Sequence, residues 1–156
     1  MPLARRSDKT RLLYSTITVG GRFLSRTDTT INSSRTEAET EDIEEPNWLI
    51  AARAAESKKA SDIKVLDLTG ITTFTDYFVL CNGTNARQMQ AITDEIALQL
   101  KKRGERPVSV EGYDQGEWVL SDYSDLIVHV FSEKARQFYD LDRLWRQGKI
   151  VEIQPG

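Results

Sequence analysis

Any acid–base or nucleophilic scheme in this chain has to run through His129, the single histidine among 156 residues. An imidazole can take and give a proton near neutrality, so it would serve as general base. Yet His129 stands inside the apolar run Leu126-Phe131, on the strand face shared with Ile127 and Phe131, where a hydrogen-bonded core histidine is the plainer expectation. Cys81, the only cysteine, ends another apolar run and has no activating pattern beside it. One cysteine excludes an internal disulfide, and one Cys with one His excludes a zinc site built from several such ligands. Gly83-Thr84-Asn85 forms a strand-to-helix turn whose backbone N–H groups could receive a phosphate. It lacks both G-x-G-x-x-G and G-K-[ST], and the acids that follow, Asp94 and Glu95, are adjacent on a predicted helix instead of alternating along a strand to hold magnesium. Asp76, Asp122, Asp125, Asp140 and Asp142 all fall at predicted element ends, where carboxylates cap turns and helices. No catalytic set, cofactor site or metal site can be assembled, and a non-enzymatic protein is expected.

A different chemistry is suggested by Trp118, Tyr123, Tyr139 and Trp145, with Arg136 and Arg143 nearby. These residue types dominate protein interfaces. Trp145, on the last predicted helix, is expected in the core; for Trp118 and Tyr123, near strand ends, core and interface readings stay open.

Charge is divided unevenly along the chain. Residues 1–36 carry seven Lys/Arg against Asp8 and Asp28, residues 37–45 carry six acids and no base, and the remainder has 14 bases and 16 acids. That remainder is nearly neutral, and its one basic cluster is Lys101-Lys102-Arg103, so direct nucleic-acid binding is disfavoured as the main mode. No window approaches the roughly 20 apolar residues of a membrane span. Residues 1–46 lack an apolar period and are expected to be a disordered extension. Their Arg- and Ser/Thr-rich first part also has the composition of a transit peptide, with an ordinary extension or an early start codon as rivals.

The elements that must position these side chains follow from residue 47. Asn47 is expected to cap a helix reaching about Lys59, with Trp48, Ala52 and Ala55 on one face. Strands are predicted over Ile63-Leu68 and Tyr77-Cys81. Asn85 and Gln88 form a capping box opening the longest helix, where Met89, Ile92, Ile96 and Leu100 share a stripe that ends before Gly104. From Pro107 the period becomes two, predicting a three-stranded antiparallel meander through Val108 and Val110, Trp118 and Leu120, and Leu126-Phe131. Glu133-Arg146 is predicted helical with a break near Asp140. The sum is a single α/β domain over residues 47–156, with a mixed sheet of about five strands flanked by helices.

Taken in order, Thr75-Asp76-Tyr77-Phe78-Val79, Gly83-Thr84-x-x-Arg87-Gln88-x-x-Ala91-Ile92-x-Asp94, Glu111-Gly112, Gly116-x-Trp118-x-Leu120-x-Asp122-Tyr123-x-Asp125, Val128-His129-Val130-Phe131 and Arg136-x-x-Tyr139-Asp140-Leu141-x-x-Leu144-Trp145 resemble the ribosomal silencing factor family, RsfS or Iojap. Ser124 departs from it, standing where glycine is common, as do Asp142 and Asn85, where glutamate and serine are common. The resemblance implies a nucleotidyltransferase-like topology without the activity. It also implies binding to the large ribosomal subunit through ribosomal protein L-fourteen, which blocks joining of the small subunit and represses translation under nutrient limitation. Organellar relatives assist large-subunit assembly, and members are often homodimers. The expected partner edge comprises Trp118, Asp122, Tyr123, Asp125, Tyr139, Asp140 and Arg143, aromatics serving as anchors and carboxylates facing a basic protein surface. A cytoplasmic bacterial location is expected, or an organelle if the tail is a transit peptide. A divergent nucleotidyltransferase-like enzyme is the competing reading.

Overall fold

The computed structural model describes residues 44–153. The tail and transit-peptide readings fall almost wholly on residues 1–43, outside the described residues. The elements are α1 (Asn47–Ser57), β1 (Ser61–Asp67), β2 (Tyr77–Gly83), α2 (Ala86–Lys101), β3 (Ser109–Glu111), β4 (Trp118–Asp122), β5 (Leu126–Ser132), α3 (Glu133–Tyr139), α4 (Leu141–Leu144) and β6 (Lys149–Val151). One six-stranded sheet is ordered β3-β4-β5-β2-β1-β6. The central pair β2 and β5 is parallel, and the other pairings are antiparallel. β2 and β5 are covered on both faces, which is why each reads as an unbroken apolar run.

The predicted meander is observed as β3-β4-β5. The sixth strand was not expected: β6 is three residues long, too short for a period-two signal, and is held by pairing with β1 from Val65 to Asp67. Asn47 does not cap α1. It is the first helical residue, and the carbonyl of Pro46 accepts the N–H groups of Leu49 and Ile50 at 3.0 and 3.2 Å. At α2 the Asn85 side chain accepts the Gln88 N–H at 2.8 Å, as a capping box requires. The return bond shifts by one residue, the Gln88 amide oxygen accepting from Thr84 N–H at 2.6 Å.

The sheet separates two cores. On the first face α1 and α2 lie over Val65, Val79, Cys81, Val119, Val128 and Val130, with Met89, Ile92, Ile96 and Leu100 all buried. Each such side chain contributes about 1.5–3 kcal/mol by leaving water. Ala51, Ala52, Ala54 and Ala55 let α1 approach closely. The second face is built from Leu66, Phe78, Leu80, Trp118, Leu120, Ile127 and Phe131, beneath the short α3 and α4 and Trp145. Val108 and Val110, whose alternation marked the edge strand, are 71% and 41% exposed, because α2 packs on β2, β4 and β5 and leaves β3 uncovered.

Candidate functional site

The residues expected to do chemistry are occupied with structure. His129 is fully buried, and its Nδ1 accepts the Trp118 indole N–H at 3.1 Å. Its ring stacks on Phe131 and meets the edge of Phe78 at 4.5 Å. Burial pushes the Cys81 thiol up to about 12, against the nearby Arg136 charge, so the thiolate that attack would need is disfavoured. At the possible phosphate turn, Thr84 N–H and Oγ1 both donate to Gln88, while Gln88 Nε2 donates to the carbonyls of Lys58 and Lys59 at 3.0 Å. The turn thereby ties α2 to the end of α1. Gly83 is required by packing: a Cβ there would lie 2.8 Å from Met89 Cγ.

The seven residues expected on one partner edge fall into two groups. Trp118 opens β4 opposite Phe131, whereas Asp122 ends the strand opposite Ile127, so Asp122, Tyr123 and Asp125 gather at the far end, in the turn before β5. Trp118 is 2% exposed and Tyr123 5% exposed, on opposite faces of the sheet. Both are therefore core residues, and replacing Tyr123 by alanine would remove packing before it removed a contact. Burial pushes the Tyr123 hydroxyl up to about 12. Asp122 accepts the Ser124 N–H at 2.8 Å in an Asx turn. The Asp125 carbonyl accepts the N–H groups of Asp76 and Tyr77, each at 3.1 Å. The carboxyl of Asp125 is raised above its ordinary value, by partial burial first and then by Glu105 and Asp76. It borders a cavity of about 390 Å³ with Trp48, Tyr77, Glu45, Arg103 and Glu105.

The second group lies over Trp118. Tyr139 packs its ring 4.6 Å from that indole and directs its hydroxyl toward Glu117 at 3.4 Å. Asp140 has φ 47, a left-handed turn that breaks the helical run into α3 and α4 as expected. A groove of about 440 Å³ is bordered by Ile71, Tyr139, Asp140, Arg143, Leu144 and Arg146. Next to it Phe138 is 78% exposed and touches Tyr139 edge-on at 5.0 Å. Its position beside Tyr139 was legible, but a helix of only seven residues gives no sustained stripe to show which way it faces.

Arg136 fixes this group to the sheet. It is 5% exposed and donates through Nε and Nη2 to both Asp142 oxygens, at 3.0 and 3.3 Å. Nη1 donates to Asn82 Oδ1 at 2.7 Å and to the Asp62 carbonyl at 3.0 Å. Lys64 adds a 2.8 Å ion pair to Asp142. Burial raises the Asp142 carboxyl, but hydrogen bonds and charges from Arg136 and Lys64 outweigh it and hold the group at about 2.

Residues 40–155 match the family model described as ribosomal silencing factor during starvation, RsfS. The chain belongs to this family. The RsfS protein of Bacillus subtilis is 40% identical over 107 residues, covering 69% of this chain and 91% of its own. A crystal structure from Bacillus halodurans superposes with a TM-score of 0.59 at 36% identity, covering 67% of this chain and 94% of that one. The mouse protein named mitochondrial assembly of ribosomal large subunit protein 1 is 31% identical over 91 residues, covering 56% of this chain and 40% of its own. The Bacillus subtilis and mouse relatives are named for silencing and for assembly respectively. Ser124 has φ 77, a left-handed conformation that glycine adopts without strain, and here the bond to Asp122 holds serine in it.

Proposed function

We propose that this protein binds the large ribosomal subunit through ribosomal protein L-fourteen and prevents the small subunit from joining, so that translation is repressed when nutrients are limited. It acts by occupying a surface, without catalysis, and Phe138 carries the reading from the structure. A large aromatic side chain 78% exposed beside Tyr139 and the Arg143 groove is an anchor without a cover among the described residues. Tyr139, Asp140 and Arg143 make contact around it, and Trp118 supports Tyr139 from below. Asp122 and Asp125 orient a basic partner at the far end of β4, on a turn shaped by Tyr123. A second copy of the chain competes for the same exposed ring in a homodimer.

A second reading, assistance in assembling the large subunit of an organelle, is favoured by the mouse relative's name. Identity is higher to the bacterial protein, which supports action in a bacterial cytoplasm. Among the described residues no helix is long and apolar enough to cross a membrane. Sedimentation of the purified protein with large subunits, small subunits and joined ribosomes tests the proposal. Association with large subunits together with fewer joined ribosomes is expected; association with none of the particles would overturn it. Association confined to immature large subunits would move the conclusion to assembly.

A further inference from the structure

Two tryptophans lie in the core beneath the short helices, and their polar edges fare differently. Trp118 donates its indole N–H to His129 at 3.1 Å. Trp145 is as deeply buried, at 2% exposure, yet its indole N–H has no acceptor among the described residues. A buried indole N–H ordinarily finds a partner, because without one it forfeits the hydrogen bond it made to water. Phe74 and Phe78 meet the Trp145 ring edge-on at 5.7 and 5.6 Å and fix its place. Trp145 also forms part of the wall of the 440 Å³ groove beside α4, together with Arg143 and Arg146. Both arginines are exposed and form no ion pair among the described residues. The groove wall thus unites three N–H-bearing side chains that no acceptor among the described residues engages.

Such a wall calls for an anion, and its charge and shape say which kind. Arg143 and Arg146 set against Asp140 leave the lining with a net charge of +1, which one carboxylate neutralises. An RNA backbone, charged at every nucleotide, would exceed that balance and meet the Asp140 carboxylate. Ile71 and Leu144 supply apolar wall in the same groove, where the methylenes of a side chain can leave water. The guanidinium fork matches a planar carboxylate in two-point geometry. We infer that the groove receives a glutamate side chain of the partner protein, its carboxylate held by Arg143, Arg146 and the Trp145 indole N–H. The inference rests on the proposed function for the partner being a protein, and it names what that partner presents here. Asp122 and Asp125 stand at the other end of β4 from Trp118, so the surface carries acids at one end and bases at the other. A partner of matching polarity then docks in one orientation.

Two measurements on the full chain test it. The first follows the three assigned tryptophan indole N–H signals by NMR while N-acetylglutamate methylamide is added, with N-acetylglutamine methylamide and dimethyl phosphate as comparison probes. The glutamate probe is expected to move the Trp145 signal to saturation and to leave Trp118 in place. The glutamine probe and the phosphodiester should bind at least about tenfold more weakly, the cost of losing one charge-assisted contact. Arg143→Gln with Arg146→Gln should remove the response, and an unmoved Trp118 signal in that variant shows the fold retained. No shift at Trp145, an equal shift from the glutamine probe, or a stronger response to dimethyl phosphate would overturn the proposal, the last in favour of RNA. The second measures association of the same double variant with large subunits, expected to be weaker by about tenfold or more. Unaltered association of the variant, where the parent associates, would remove the groove from the interface and leave the proposed function standing. Failure of the parent itself to associate would instead remove that function, and the probe titration would still decide whether the groove takes a carboxylate.

Discussion

The two faces of the sheet are closed by different means. The first carries helices of 11 and 16 residues, four buried alanines and an aliphatic stripe, and nothing ionic is needed to seat them. The second carries helices of seven and four residues, which cannot supply a comparable apolar stripe. It is closed by stacked rings, a buried histidine and an arginine that bonds to two strands and a helix. The long helices themselves leave Leu98 at 49% exposure, whereas the short helices pinned by charge leave Phe138 projecting into solvent at 78%. The binding surface proposed above lies on the face whose cover is short.

The largest effect should come from removing the pin. Arg136→Met leaves Asn82 and the Asp62 carbonyl without their donor and Asp142 with Lys64 alone, at a cost of about 3–5 kcal/mol for a broken buried network. Denaturant unfolding reads this directly. Ile92→Ala, on the other face, should cost about 3 kcal/mol through the lost methylenes and the cavity. It should leave large-subunit binding intact wherever the domain stays folded, whereas Arg136→Met should weaken binding as well. Equal binding by the two variants would remove the distinction between the faces.

Acid sharpens the contrast further. The Asp142 pKa, at about 2, lies below the ordinary 3.8. The stability it contributes is therefore present above about pH 4 and is lost as pH falls toward 2. After discounting for solvent the loss is roughly 1 kcal/mol. Comparing unfolding midpoints between pH 5 and 3 for the parent and for Asp142→Asn should show a shallower decline in the variant. The smallest effect expected is a gain: Ser124→Gly relieves a left-handed serine and should stabilise by up to about 1 kcal/mol, less whatever the Asp122 bond returns. A loss on that substitution would show the Asx turn to outweigh the strain.

Legibility followed length and periodicity. The α2 stripe, the apolar β2 and β5 and the break at Asp140 could be read because each combines an apolar period with a capping or turn residue. The three-residue β6 could not, and α1 starts from a proline carbonyl that carries no side-chain signature. The site was legible in residue type but not in place. Alternation along β4 puts Tyr123 opposite in face to Trp118, which the sequence implied, but only the register with β5 shows that Asp122 and Trp118 stand at opposite ends. The role of Arg136 depends on Asp62 and Asn82, 74 and 54 residues away, and no local pattern announces that contact.

The most direct test replaces single residues with a photo-crosslinking amino acid, at Phe138 on the second face and at Leu98 on the first, and illuminates each full-length protein with purified large subunits. The account predicts a crosslink from position 138 to one large-subunit protein and none above background from position 98. A crosslink from position 98 with none from position 138 would contradict it.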